Sequence, residues 1–189
     1  MTMAVITGAS SGMGREFVLR LAKEKKLDEI WVIARRLERL QSLQDLVPDV
    51  RVRPLAMDLT RDDSLAECKT LLAAENPDVS VLVNASGFGK FGVIEDIELS
   101  EQLNMIDLND KAYVAMTYLT LPYMRAGGEI YQLDSLSSFQ PVPYITVYGA
   151  TKAFVLSFSR ALNVELKKRK IRCMAVCPGW VKTEFFDRA

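Results

Sequence analysis

The chain has 189 residues, 49% of them hydrophobic, which suits one domain with a substantial core and is too apolar for a disordered chain. Its 24 basic and 24 acidic side chains cancel, so a broad nucleic-acid surface, which needs many unpaired cations, is not expected. Histidine is absent, which excludes Ser-His-Asp and Cys-His nucleophile systems and most zinc sites, and no metal site is expected.

The opening MTMAVITG enters a strand at once, without a basic and apolar leader. No apolar run approaches membrane-spanning length, so a cytoplasmic protein without membrane contact is expected. Six apolar, β-branched runs read as strands: MAVIT, EIWVIA, VRVRPLAM, DVSVLVN, GEIYQLD and IRCMAVC. Several are nearly continuous, as in parallel strands buried on both faces. Helical patterns between them run from Gly14 to about Lys26, Arg36 to about Leu46, Asp62 to about Glu75, Glu101 to about Arg125, and Thr146 to about Lys170. Thr60 with Asp63 predicts a capping box for the third helix. GFGKFG, at 87–92, is the most flexible-looking connection, and it follows the carboxyl end of a strand. Cys173 and Cys177 share one face of the last strand and read as small core residues in a reducing compartment. Strand and helix alternate without a composition break, which predicts one domain over residues 1–189, an α/β fold with a doubly wound parallel sheet.

The turn ITGASSGMGRE, between the first strand and the first helix, carries Gly8, Gly12 and Gly14. The first glycine permits a sharp turn, the second lets backbone N–H groups approach a pyrophosphate, and the third lets the helix pack close to the sheet. The helix N-terminus adds positive partial charge, so a nucleotide phosphate site is favoured over a bare turn. The second strand ends in Ala34, Arg35 and Arg36, where sites preferring NAD usually place an acid. Two cations at a helix N-terminus oppose its dipole by about 0.3–1 kcal/mol each. Either this is a solvated helix start eased by Glu38, or a ligand anion relieves the conflict. The second reading is favoured, and with it a 2′-phosphate site and NADP(H) in preference to NAD(H).

With these features and the run DSLSSFQPVPYITVYGATK, the chain resembles the short-chain dehydrogenase/reductase family, in its single-domain branch with a Ser-Tyr-Lys-Asn set. The resemblance spans Val5 to Thr183 and rests on TGASSGMG, MDLT, VNASG, Asn109, Ser135, YGATK and CPGWVKT in that order. It implies a Rossmann-like sheet of strand order 3-2-1-4-5-6. It also implies a dinucleotide held by Gly8, Ser10, Ser11, Gly12, Met13, Gly14, Arg35, Arg36, Asp58, Leu59, Asn84, Ala85, Ser86, Tyr148, Lys152, Pro178, Gly179, Val181 and Thr183. Asp58 would meet the adenine edge, Asn84 to Ser86 the ribose, and Pro178 to Thr183 the nicotinamide end. The family usually carries a second asparagine where this chain has Ala85.

Tyr148 and Lys152 are four apart, so on a helix they share a face. Bringing a phenol from a pKa of about 10 to about 7 takes about 4 kcal/mol, which a cation about 4 Å away supplies at an effective dielectric of about 20. The resemblance makes Tyr148 the general acid for carbonyl reduction and the base for alcohol oxidation, with Lys152 also on the nicotinamide ribose. Ser135, thirteen residues before Tyr148, would orient the substrate oxygen, and Asn109 would link Lys152 to solvent through a water relay.

The implied function is NADPH-dependent reduction of a small ketone or aldehyde, or the reverse. Phe88, Phe139, Pro141, Tyr144 and Trp180 are candidate substrate contacts. Family members usually continue past the sequence WVKTEFFDRA into a lid and a seventh strand. Trp180, Phe185 and Phe186 would begin that lid. A domain truncated there leaves a second reading, a dinucleotide-binding sensor or scaffold without catalysis. The helices over 101–125 and 146–170 would form a homodimer face, with Tyr113, Met116 and the stretch from Phe154 to Phe158 contributing.

Overall fold

Strand β1, Thr2–Thr7, is buried along nearly its whole length and pairs in parallel on both sides. This is what a continuous apolar run requires: with no polar face to show to water, it becomes a central strand. The computed structural model describes residues 2–181, 183 and 184. The other strands are β2 (Glu29–Ala34), β3 (Arg51–Ala56), β4 (Asp78–Asn84), β5 (Met124–Leu133) and β6 (Arg172–Val176). They form one parallel sheet in the order β3-β2-β1-β4-β5-β6, as expected.

Helices cover both faces. Alternate residues of β1 feed two cores: Met3 and Val5 pack with Trp31, Leu82, Leu72 and Met116, while Ala4 and Ile6 pack with Val32, Val83, Val18 and Leu40. Helices α1 (Gly12–Glu24) and α2 (Leu37–Gln41) bury their apolar sides in the second core. Helix α3, Asp62–Glu75, packs on the first.

Three helical segments differ from expectation. After α2 the chain turns through a 3₁₀ segment, Gln44–Leu46, and does not continue as an α-helix. The Gln44 carboxamide donates to the carbonyls of Val47 and Val50 and accepts from Val52 N–H, satisfying the chain as it enters β3. The segment expected as one helix over 101–125 is α4 (Leu99–Ile106), a π turn (Asp107–Lys111) and α5 (Ala112–Thr120). Pro122 lies in a closing 3₁₀ turn, Leu121–Tyr123, and Met124 and Arg125 already belong to β5. Helix α6, Thr146–Glu165, tightens into a 3₁₀ turn, Leu166–Arg169, before Lys170 takes a left-handed φ of 56°. The Thr60–Asp63 capping box does not form. Thr60 donates to Asp58 at 2.8 Å, Asp63 accepts from its neighbour Ser64, and Arg61 is the N-cap residue.

Candidate active site

A parallel sheet brings all its carboxyl ends to one edge, and the connections after β1 to β6 meet there. Two adjoining clefts result. The first, about 440 Å³, is lined by the turn after β1, by Arg35 and Arg36 after β2, by Asp58 and Leu59 after β3, and by Ala85 and Ser86 after β4. The glycines make it possible. Gly8 has φ 66°, and a Cβ there would come 2.5 Å from the Ala85 carbonyl oxygen. A Cβ on Gly14 would run into the Gly8 carbonyl, so the start of α1 could not lie against the turn. Thr7 supplies the cross-tie: its hydroxyl accepts from Ala85 N–H at 3.1 Å and Ser86 N–H at 3.2 Å. The cleft thus offers a helix N-terminus and exposed cations together, which fits a dinucleotide.

The second cleft, about 410 Å³, shares Met13, Ala85, Gly87 and Thr183 with the first and holds Ser135, Tyr148 and Lys152 together. Pro178, Gly179 and Val181, after β6, form one wall. Ser135 follows β5 and its hydroxyl reaches the Tyr148 phenol. Lys152 is 4% exposed, and its ammonium donates to the Leu133 carbonyl at 2.7 Å, an oxygen that also accepts from the Tyr113 hydroxyl at 3.0 Å. Burial lowers the Lys152 pKa to about 8, against the pull of Asp134 and Asp110. Nζ stands 5.7 Å from the centre of the Tyr148 ring. The expected depression of Tyr148 by this cation is not found in the protein chain. Burial raises the phenol above its usual range, the Ser135 hydrogen bond opposes the rise, and Asp134 adds to it.

Asn109 sits in the π turn and is fully buried. Its carboxamide accepts from Phe88 N–H at 3.1 Å and donates to the Phe88 carbonyl and the Thr151 hydroxyl, each at 3.0 Å. It therefore ties the 85–93 connection to α6 one residue before Lys152.

The sequence model of the short chain dehydrogenase family matches residues 2–189. The chain belongs to this family. A short-chain dehydrogenase from Sphingobium yanoikuyae, solved in complex with NADPH, superposes with TM-score 0.90 at 32% identity, over 100% of this chain and 75% of that one. The bulky-bulky ketone specific alcohol dehydrogenase from Comamonas testosteroni gives TM-score 0.86 at 30% identity, covering 96% and 73%. The very-long-chain 3-oxoacyl-CoA reductase of Bos taurus is 32% identical over 191 residues, which cover 96% of this chain and 60% of that protein's length. These relatives are oxidoreductases of carbonyl and alcohol groups, and this short chain dehydrogenase shares their fold.

Some expected site residues lie elsewhere in this short chain dehydrogenase. Asn84 lines neither cleft. It is 1% exposed, and its amide donates to Gln132 at 2.9 Å and Thr117 at 3.2 Å inside the core, because a residue inside β4 points into a sheet face. Phe88 is buried beside the first cleft, while Phe139, Pro141 and Tyr144 are exposed outside both. Trp180 does line the second cleft, stacked on Phe91 with ring centres 6.2 Å apart, and Phe91 was missed. Tyr113 and Met116 are core residues, each 1% exposed, and not part of an outer face. Phe185 and Phe186 lie outside the described residues.

Two charged residues of the first cleft were also missed. Arg36 donates to the hydroxyls of Ser10 and Ser11, both at 3.2 Å, and pairs with Glu184 at 3.5 Å, and Arg39 binds the same carboxylate. Arg39 lies three residues after Arg36, a helical spacing that puts both on one side and was legible in RRLERL. No sequence pattern announced Glu184. Among the described residues there is no group of three or more His, Cys, Asp or Glu side chains able to hold a metal, and no helix long and apolar enough to cross a membrane.

Proposed function

We propose that the chain is an NADP(H)-dependent carbonyl reductase that interconverts a small ketone or aldehyde with its alcohol. The observation that carries this reading is the convergence of Ser135, Tyr148 and Lys152 on one cleft that opens into the glycine-lined one. A bound nicotinamide supplies the hydride in reduction and accepts it in oxidation. Tyr148 gives its hydroxyl proton to the substrate oxygen as negative charge develops there, and a phenol held protonated by burial suits that direction. Ser135 donates to the same oxygen. Lys152 lies one turn after Tyr148 on α6, where its charge would stabilise the phenolate left after proton transfer and its ammonium would hold the ribose of a bound dinucleotide. Asn109 holds the wall of the site, and we assign it the relay toward solvent.

Arg35 and Arg36 support NADP(H) over NAD(H). Glu184 shows that a carboxylate is already drawn to this corner by Arg39 and Arg36, whose charges lower its pKa. The NADPH held by the Sphingobium relative is consistent with this choice. Cys68, Cys173 and Cys177 are all free thiols, as suits the cytoplasm. We infer a homodimer through α4, α5 and α6, whose outer side exposes Leu103, Val114, Tyr118, Phe154 and Val164.

NADPH oxidation with a panel of diketones and aromatic aldehydes tests the activity. Tyr148→Phe is expected to lower kcat/KM by about 10²–10⁴-fold while NADPH still binds. Equal turnover by the variant overturns the reading. NADPH binding with no turnover by the native chain favours a sensor or scaffold.

A further inference from the structure

Asp134 is the first residue after β5, directly before Ser135, and lines the reaction cleft, yet no role described above uses it. It is 3% exposed. Its Oδ2 accepts from the Cys177 thiol at 3.3 Å, while Oδ1 has no hydrogen-bond partner among the described residues. A buried carboxylate is costly and calls for a role or a compensating charge. Its backbone does not need the acid, since the Asp134 N–H already donates to the Val176 carbonyl at 2.8 Å. A second carboxylate, Asp110 in the π turn, shares the condition: its Oδ1 is also buried and unpartnered.

The titratable groups gathered here come from every surrounding element. Asp134 after β5, Tyr113 from α5, and Tyr148 and Lys152 from α6 line one cleft, the Lys152 ammonium sits on the carbonyl of Leu133, the residue before Asp134, Cys177 after β6 touches Asp134, and Asp110 follows the Asn109 clamp in the π turn. Lys152 is the one cation in this set. Asp134, then Asp110 and Cys177, favour its protonated form against the larger effect of burial. Burial raises Asp134 above the ordinary carboxylate range, opposed by the Cys177 thiol, by Lys152 and by the Ser135 N–H and Ser138 hydroxyl, and it raises Asp110 to about 7, opposed by Lys152.

We propose that Asp134 is a positioning residue of the active site: with Asp110 as its counterpart, it keeps the buried Lys152 ammonium charged and the Tyr148 hydroxyl protonated, and so extends carbonyl reduction to higher pH. The sign follows from charge alone. An anion beside an ammonium favours the proton there, and beside a phenol it disfavours the phenolate. Both effects act on the alkaline side, where Asp134 is ionised and the Lys152 proton is at risk. The inference rests on the carbonyl-reductase reading for its consequence, but not for its electrostatics.

The test uses the full chain with ¹³C at the lysine ε-carbons, the Lys152 resonance being the one lost in Lys152→Arg. In Asp134→Asn, which keeps shape and removes charge, the Lys152 titration midpoint is expected to fall by about one pH unit, a tenfold loss of proton affinity. Asp110→Asn moves it the same way, and Asp134→Ser repeats the measurement should the amide not be tolerated. The alkaline limb of the kcat/KM profile for NADPH-linked reduction falls in step. An unchanged Lys152 midpoint in Asp134→Asn and Asp110→Asn overturns the proposal whatever the turnover. Absence of turnover in the native chain bears on the parent reading alone.

Discussion

Arg36 illustrates how one residue serves two partners. Its guanidinium bonds the Ser10 and Ser11 hydroxyls of the glycine turn and pairs with Glu184, so it bridges the end of β2 to the phosphate side of the cleft. A free 2′-phosphate would compete for the same donors, and charge-assisted bonds of this kind contribute about 1.5–3 kcal/mol each. Arg36→Ala is therefore expected to weaken NADPH binding roughly ten- to hundredfold while leaving NADH within about threefold, by nicotinamide fluorescence titration. Equal losses for both cofactors would place the role of Arg36 in the turn itself. At the same scale, Lys152 departs from the simple pair read from YGATK. The spacing to Tyr148 holds, but the ammonium is turned to Leu133, and burial governs both groups. Spacing on a helix fixes which residues share a face, whereas the balance of desolvation and neighbouring charge depends on what lies opposite.

The π turn at Asp107–Lys111 is the element whose form matters most to the site. Wide turns of this kind interrupt an α-helix at little length and are common at functional sites. Here the turn holds Asn109, which spans from the Phe88 backbone to Thr151 and so joins the fourth connection to α6. Asn109→Ala would leave the Phe88 N–H and carbonyl without those partners in a buried place. A loss of about 3 kcal/mol is expected, read as a lower urea midpoint at unchanged m-value. A midpoint equal to the native one would show that this clamp is dispensable. Sequence periodicity runs straight through 101–125 because a π turn changes the phase by a single residue, a shift that apolar patterning cannot resolve. Strand assignment was more secure, since runs such as EIWVIA and DVSVLVN are too short and too β-branched for buried helices.

At the scale of the whole molecule, α4, α5 and α6 each leave apolar side chains exposed, Tyr118 at 76% and Val164 at 72% among them. Phe154 adds to these and stacks on Phe158 at 5.9 Å. A surface of this kind is expected to pair with a second copy of the chain. Sedimentation velocity should give a dimer for the native chain and a monomer for Tyr118→Arg combined with Leu103→Glu, with the sheet intact by circular dichroism. A dimer that persists in the double variant would locate the interface elsewhere.

The sequence by itself determined the six parallel strands, their single sheet and the glycine turn, because each is written in local pattern, as apolar continuity or backbone freedom; Ser135, Tyr148 and Lys152 were named through the family resemblance, with the spacing of Tyr148 and Lys152 adding only a shared helix face. Only the tertiary structure decided that Asn84 points into the core, that Asn109 is a buried clamp, that Arg39 and Glu184 join the cleft, and that Asp110 and Asp134 flank Lys152. Those facts depend on which residues far apart in the chain meet at the sheet's carboxyl edge, where burial is the largest influence on Lys152, Tyr148, Asp110 and Asp134, while the Arg39 hydrogen bond is the largest on Glu184.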